Sequence, residues 1–190
     1  MEALKSLVSL HYFKMYVMNV LEYFKNITTF VFDIDGVLTD GKLYLMPGGT
    51  MWRVKNIKDC YALQLSIKMQ YNILIISGGY SPESEQRLKK LGIKDIYMQV
   101  ENKETLLDTF MKKNNLKQKE VLCMGDDIPD YTILKNAGLA CCPADAVKEI
   151  KSISHYVSKI KGGEGCVRDV IEKVLQLNNS WPLDTNIKAR

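Results

Sequence analysis

The stretch that decides the fold reads Thr29-Phe-Val-Phe-Asp33-Ile-Asp35-Gly-Val-Leu-Thr-Asp-Gly41. It opens on an apolar, β-branched run without a polar break, the pattern of a strand covered on both faces of a parallel sheet. The carboxylates that close it, Asp33 and Asp35, are two positions apart and point the same way from an extended chain.

The pattern recurs along the chain. Ile73–Ile76, Ile96–Met98, Val121–Met124, Leu139–Cys141 and Tyr156–Val157 read as further strands. Helical patterns fill the gaps. Ser81 can cap one with Pro82 at its first position and Gly92 as its stop. Others run over about Glu104–Lys113, from Pro129 to Gly138, and over Cys166–Leu177, where Val167, Val170, Ile171 and Val174 share a face. This alternation predicts an α/β fold with a doubly wound, mostly parallel, Rossmann-like sheet and a site at the carboxyl ends of its strands. Lys42–Met46 and Met51–Val54, on either side of Pro47-Gly48-Gly49, predict a β-hairpin inserted after the first strand. The intervals from Asp35 to Ser77 and from Ser77 to Lys103 are too short for a separate cap domain. Residues 1–26 read as an N-terminal helical extension, with Met15 or Met18 as alternative starts. Residues 27–178 read as the domain itself, and 179–190 as a flexible tail.

At 190 residues, 46% hydrophobic and 25% charged, the chain has the composition of one globular domain. A chain of this size buries roughly 70% of its unfolded surface. Collagen-like, low-complexity and polytopic membrane classes are excluded. A net charge of +4 is too slight to argue for nucleic acid and suits a small anionic substrate equally well. Cys60, Cys123, Cys141, Cys142 and Cys166 are odd in number and include no C-x-x-C pair, so they read as buried reduced thiols of a cytoplasmic protein. No apolar stretch approaches the roughly 18 residues of a membrane span. The start lacks the basic region and small-residue cleavage site of a signal peptide.

The chemistry sits at the strand ends. After the first come Asp33 and Asp35; after the second, Ser77-Gly78-Gly79; after the third, Lys103; after the fourth, Gly125-Asp126-Asp127-Ile128-Pro129-Asp130. Singly these are commonplace: an Asp pair usually caps a helix, a Ser usually marks a turn, and a Lys is usually a solvated charge. In this order at four successive strand ends they form a constellation. Converging carboxylates repel one another, and a hard divalent cation such as Mg²⁺ relieves that. A hydroxyl and free N–H groups in a Gly-rich turn suit a phosphate.

The constellation resembles that of the haloacid dehalogenase superfamily of phosphotransferases, over about Thr29 to Asp169. The resemblance implies that Asp33 attacks phosphorus to form an aspartyl-phosphate and that Asp35 acts as general acid, then base. It implies Mg²⁺ on the Asp33 carboxylate, the Asp35 carbonyl and Asp126, with Asp127 in support and Asp130 behind them. Ser77, Gly78 and Lys103 would hold the phosphoryl group. Asn56-Ile57-Lys58-Asp59, Leu91-Gly92-Ile93 and Gly162-Gly163-Glu164-Gly165-Cys166-Val167-Arg168 further resemble the capless sugar-acid phosphatases of that superfamily. Those imply a homotetramer joined through the hairpins, a substrate loop of Asn56, Ile57, Lys58, Asp59 and Cys60, and Arg87 on the sugar-acid carboxylate. Such proteins often carry Gly where this chain has Cys60, and Arg where it has Gln64 and Gly79. With both arginines gone, Lys58 and Arg87 remain to compensate.

The substrate so implied is an eight-carbon 3-deoxy-2-ulosonic acid phosphate, a small molecule feeding surface-polysaccharide synthesis, with no nucleic-acid or membrane partner. A nine-carbon ulosonate or N-acylneuraminate 9-phosphate is the alternative within the class. Lys90 and Glu164 are similar to that relative, whereas Gly79 stands where it has an acid. Two readings of other kinds remain: a non-catalytic assembly domain of a sugar-acid cytidylyltransferase system, and a protein phosphatase with an open site.

Overall fold

Strand β1 (Thr29–Phe32) has no exposed residue, because it lies in the middle of a six-stranded sheet with helices on both faces. A computed structural model describes residues 20–183 of the chain. The sheet order is β5-β4-β1-β6-β7-β8, with β4 at Asn72–Ile76, β5 at Asp95–Tyr97, β6 at Val121–Met124, β7 at Leu139–Cys142 and β8 at Tyr156–Val157. Every pairing in it is parallel. The chain winds one way from β1 to β4 and the other way to β6, so the order reverses at β1. That is the switch point at which such sheets open a crevice beyond their carboxyl ends.

Side chains alternate along β1: Phe30 and Phe32 enter one core layer, Val31 the other. The first layer is closed by α1 (Ile57–Lys68), α2 (Pro82–Lys90) and α6 (Cys166–Leu177). The second is closed by α3 (Lys103–Lys113), α4 (Tyr131–Lys135) and α5 (Lys148–Ile153). On α6, Val167, Val170, Ile171 and Val174 are wholly buried, each contributing about 1.5–3 kcal/mol of apolar burial. A charge at any of them would open this layer.

The expected strands and helices are present with ends moved by a residue or two. The hairpin is shorter than expected: only Tyr44–Leu45 (β2) pairs with Met51–Trp52 (β3), across a turn at Pro47–Gly49. The helix after Pro129 is a short turn running into α4, and it ends at Lys135 rather than Gly138. Ser81 occupies the N-cap position of α2, but its hydroxyl donates to Ser84 Oγ at 2.7 Å instead of accepting a backbone N–H. No cap domain interrupts the two intervals; they hold the hairpin with α1, and α2 with β5.

Of the expected N-terminal extension, residues 1–19 lie outside the described residues. Residues 20–25 are helical, and Phe24 is core, its ring edge-on to Tyr156 at 5.4 Å. At the other end the chain stays packed past Asn178, where the sequence suggested fraying. Ser180 donates to the Leu175 carbonyl, and Trp181 meets Tyr61 edge-on under the Arg168 guanidinium. Residues 184–190 lie outside the described residues.

Candidate active site

Four chain segments leave the sheet around one cavity of about 380 Å³, lined by Asp33, Asp35, Ser77, Gly78, Gly79, Lys103, Asp126, Asp127 and Asp130, among others. The β1 end turns sharply at Gly36, whose φ is +89°. A Cβ there would lie 2.0 Å from Asp126 Oδ2. Only glycine lets the loop after β1 come this close to the carboxylate from β6. Thr39 ties the loop together: its Oγ1 accepts from the Gly36 and Gly41 N–H groups. The Gly-rich segment before α6 backs the same loop, with Gly163 donating to the Val37 carbonyl at 3.0 Å. A Cβ on Gly162 would fall 1.9 Å from the Gly36 carbonyl.

Lys103 opens α3 and is buried beside the β1 end. Its ammonium donates to Asp33 Oδ1 at 2.8 Å and to Asp130 Oδ1 at 2.6 Å. The other Asp130 oxygen accepts the Asp126 N–H at 3.1 Å. Asp130, which the resemblance placed behind the cation ligands, holds both the lysine and the Asp126 backbone. Ligand atoms of Asp33, Asp126 and Asp130 lie within 4.8 Å of one another. Asp127 accepts the N–H of Ile128 at 2.8 Å, which leaves its charge at the cavity rim. Ser77 is buried, and its hydroxyl accepts the Gly79 N–H at 3.1 Å.

Asp33, Asp126 and Asp130 crowd around one ammonium that bonds only two of them, and the site's electrostatics record the imbalance. Burial, then repulsion from Asp130, push the Asp33 carboxyl up to about 6, against the pull of Lys103. Burial, then Asp130 and Asp33, push Asp126 up to about 7. Burial opposes the charge on Lys103, but Asp33 and Asp130 hold its pKa above the ordinary lysine value. A hard divalent cation fits this donor set. It would replace the protons that burial and repulsion otherwise favour.

Sequence reasoning missed Arg53. From the chain just after β3, its guanidinium makes a two-pronged pair with Asp35, Nε to Oδ1 at 2.7 Å and Nη2 to Oδ2 at 3.2 Å. Its signal was the alternation of Trp52, Arg53, Val54 and Lys55, which puts both cations on one side of an extended strand.

The residues for which the resemblance implied sugar contact are brought together less completely. Asn56 caps α1 by accepting the Lys58 N–H, and Ile57 is exposed. Lys58 and Glu164 line a separate cavity beside Arg168. Asp59 is buried, with Oδ1 accepting the Arg168 N–H at 2.7 Å. Cys60 is core, and the Gln64 Oε1 is buried without a partner. None of these lines the cavity that holds Asp33. Gly79 does, and Arg87 lines a neighbouring one.

Comparison with known proteins agrees with this geometry. A family model described as haloacid dehalogenase-like hydrolase matches residues 88–170. The chain is 30% identical to the 3-deoxy-D-manno-octulosonate 8-phosphate phosphatase of Yersinia pestis over 157 residues, 83% of this chain and 84% of that protein. The solved structure of that enzyme superposes with a TM-score of 0.82 at 29% identity, covering 85% of this chain and 87% of the other. The Moraxella catarrhalis enzyme, solved with magnesium, phosphate and the sugar acid, matches with a TM-score of 0.82 at 29% identity, over 85% of this chain and 94% of its own. The chain belongs to the haloacid dehalogenase-like hydrolases. Within them it is a phosphoric monoester hydrolase, similar to the 3-deoxy-D-manno-octulosonate 8-phosphate phosphatases.

Proposed function

We propose that this chain hydrolyses 3-deoxy-D-manno-octulosonate 8-phosphate to the free sugar acid and phosphate, with Mg²⁺ as cofactor. The observation that carries the proposal is the Lys103 ammonium, held at once by Asp33 and Asp130, with Asp126 alongside. A carboxylate cannot approach a phosphate dianion unless cations screen the repulsion, and this cluster supplies one and has the donors for a second. The similar Moraxella enzyme holds magnesium, phosphate and the sugar acid together.

In this mechanism an Asp33 oxygen attacks phosphorus, and the substrate's ester oxygen leaves with a proton from Asp35. Water then attacks the aspartyl-phosphate, giving its proton back to Asp35 and releasing phosphate. Arg53 and Thr39 orient Asp35 for both transfers. Lys103, the Ser77 hydroxyl and the Gly78 N–H hold the phosphoryl oxygens. The Asp33 and Asp126 carboxylates and the Asp35 carbonyl would hold Mg²⁺, which supplies charge to stabilise the phosphoryl group in transfer. Asp127 supports that shell from the rim.

The hairpin supports a homotetramer. Tyr44, Leu45, Met51 and Trp52 are all exposed on it, with Leu45 77% accessible, an apolar patch larger than a solvated turn needs. The free, buried cysteines support a reducing, cytoplasmic setting. No described helix is long and apolar enough to cross a membrane.

The test is phosphate release with Mg²⁺ from the eight-carbon and nine-carbon ulosonate phosphates, beside an aryl phosphate. Strong preference for the eight-carbon compound is expected. Preference for the nine-carbon compound, or activity on the aryl phosphate alone, refutes the substrate assignment.

A further inference from the structure

Among the described residues, three buried side-chain polar atoms lack a hydrogen-bond partner, and one of them belongs to a cation: Lys55 Nζ. Lys103, by contrast, is satisfied by two carboxylates. A desolvated ammonium without an acceptor is costly. Nor is it a loosely placed surface lysine. An antiparallel bridge between Thr39 and Lys55 fixes its backbone against the catalytic loop, while Trp52 and Val54 point outward.

Lys55 lines a cavity of about 230 Å³ together with Arg53, Arg87, Ser81, Ser84 and Glu83. With the Arg53 charge already paired to Asp35, Lys55 and Arg87 stand against the one carboxylate of Glu83 and give this cavity a net positive lining. It adjoins the phosphoryl cavity through Arg53, which lines it and whose guanidinium grips Asp35. Gly79 leaves room for that guanidinium: a Cβ there would lie 3.7 Å from Arg53 Nη2 and 3.2 Å from Asp35 Oδ2. So the positive charge beside Asp35 comes from the chain just after β3, as that beside Asp33 comes from Lys103.

We propose that Lys55 is a specificity residue whose ammonium, with Arg87 beside it, binds the carboxylate of a sugar-acid phosphate while the phosphoryl end sits at Asp33; this deepens the function proposed above and rests on it. An incoming carboxylate supplies the acceptor that Lys55 lacks. A neutral sugar phosphate leaves the ammonium buried and unpaired, so selection works by penalty as well as by attraction. The groups facing Lys55 keep it ready. Burial pushes its pKa down to about 8, while the Asp35 carboxylate, the Cys60 thiol and Asp33 favour the charged form and Arg53 opposes it. It is therefore mainly charged at neutral pH.

The test compares Lys55→Met and Lys55→Arg with the wild-type enzyme. The readouts are kcat and KM for the eight-carbon ulosonate phosphate, and for a matched pair, 6-phosphogluconate and glucose 6-phosphate, that differ in the carboxylate. Lys55→Met should raise KM for the carboxylate-bearing substrates about 10- to 100-fold, the loss expected for one charge-assisted bond. The loss on glucose 6-phosphate should be at least tenfold smaller, and Lys55→Arg should restore most of the discrimination. Thermal stability of Lys55→Met should hold or rise, because an unpaired buried charge is gone. Equal losses on both members of the pair, a purely kcat effect, or a lower melting temperature overturns the assignment. If the ulosonate phosphate is not a substrate, the proposed function fails, and the matched pair alone decides the role of Lys55.

Discussion

Gly36→Ala is the most direct probe of how the site is assembled. The added methyl would meet Asp126 Oδ2 at 2.0 Å, while real Cβ contacts stay beyond 3.0 Å, so one partner must give by about 1 Å. Asp126 cannot give way through its backbone, so the carboxylate itself must turn aside. Its N–H is held by Asp130, and its carbonyl accepts from Val147 at 2.9 Å. The φ of +89° adds strain, about 1–2 kcal/mol for a residue with a Cβ. Overpacking adds about 1–3 kcal/mol more. The sum, about 2–5 kcal/mol, is less than or comparable to the stability of an ordinary domain, so the variant should fold with a lowered melting temperature. A misplacement of about 1 Å at a catalytic group costs on the order of 100-fold in rate. Phosphate release at saturating Mg²⁺ should therefore fall by about that factor, and the concentration of Mg²⁺ for half-maximal activity should rise. Melting curves with and without Mg²⁺ check the second point, since the ion should stabilise the variant less than the wild type. Activity within threefold of wild type, with unchanged Mg²⁺ dependence, would refute the reasoning, because the Asp126 carboxylate would then not be needed where the fold puts it.

Two further outcomes follow from the buried charges. Lys103→Met should abolish turnover and destabilise the fold by about 3–5 kcal/mol, because Asp33 and Asp130 lose their shared cation; near-wild-type melting would contradict the pairing. Asp59 is nearly inaccessible, and burial raises its carboxyl to about 6, against the hydrogen bond from Arg168 and the charges of Arg168 and Lys55. A raised carboxyl stabilises the fold fully below its unfolded pKa of 3.8, and that stability is lost as pH rises through about 6. The loss is at most about 3 kcal/mol. Asp59→Asn should flatten the fall in stability between pH 4 and 6 in denaturant titrations, and an unchanged slope would show that Asp59 ionises normally.

Much of the site is legible in the sequence because its residues sit at strand ends. A run such as Phe30-Val31-Phe32, repeated between helical patterns along the chain, reads as an interior strand, and whatever follows it leaves the sheet at one edge. Asp33, Asp35, Ser77, Lys103 and Asp126 are therefore convergent once the βα alternation is recognised. Their residue types then narrow the chemistry to a cation and a phosphate. The hairpin is legible for the same local reason, since Pro47-Gly48-Gly49 cannot continue a strand.

What stays hidden depends on contacts between segments far apart in the chain. The two-pronged grip of Arg53 on Asp35, the seat of Asp130 between Lys103 and the Asp126 backbone, and the unpaired ammonium of Lys55 each need two or three elements brought within hydrogen-bond range. Spacing says nothing about that. The same holds for Asp59 and Gln64, for which the resemblance implied sugar contact: packing buries Asp59 and leaves the Gln64 Oε1 without a partner, away from the cavity that holds Asp33. Local sequence carries periodicity and residue type, so it reaches the fold class and a cation–phosphate site, and the resemblance those motifs carry implies the reaction. Burial and the pairing of charges are set by the whole chain, and they decide which carboxylate is screened, which cation is left unpaired, and which substrate could complete it.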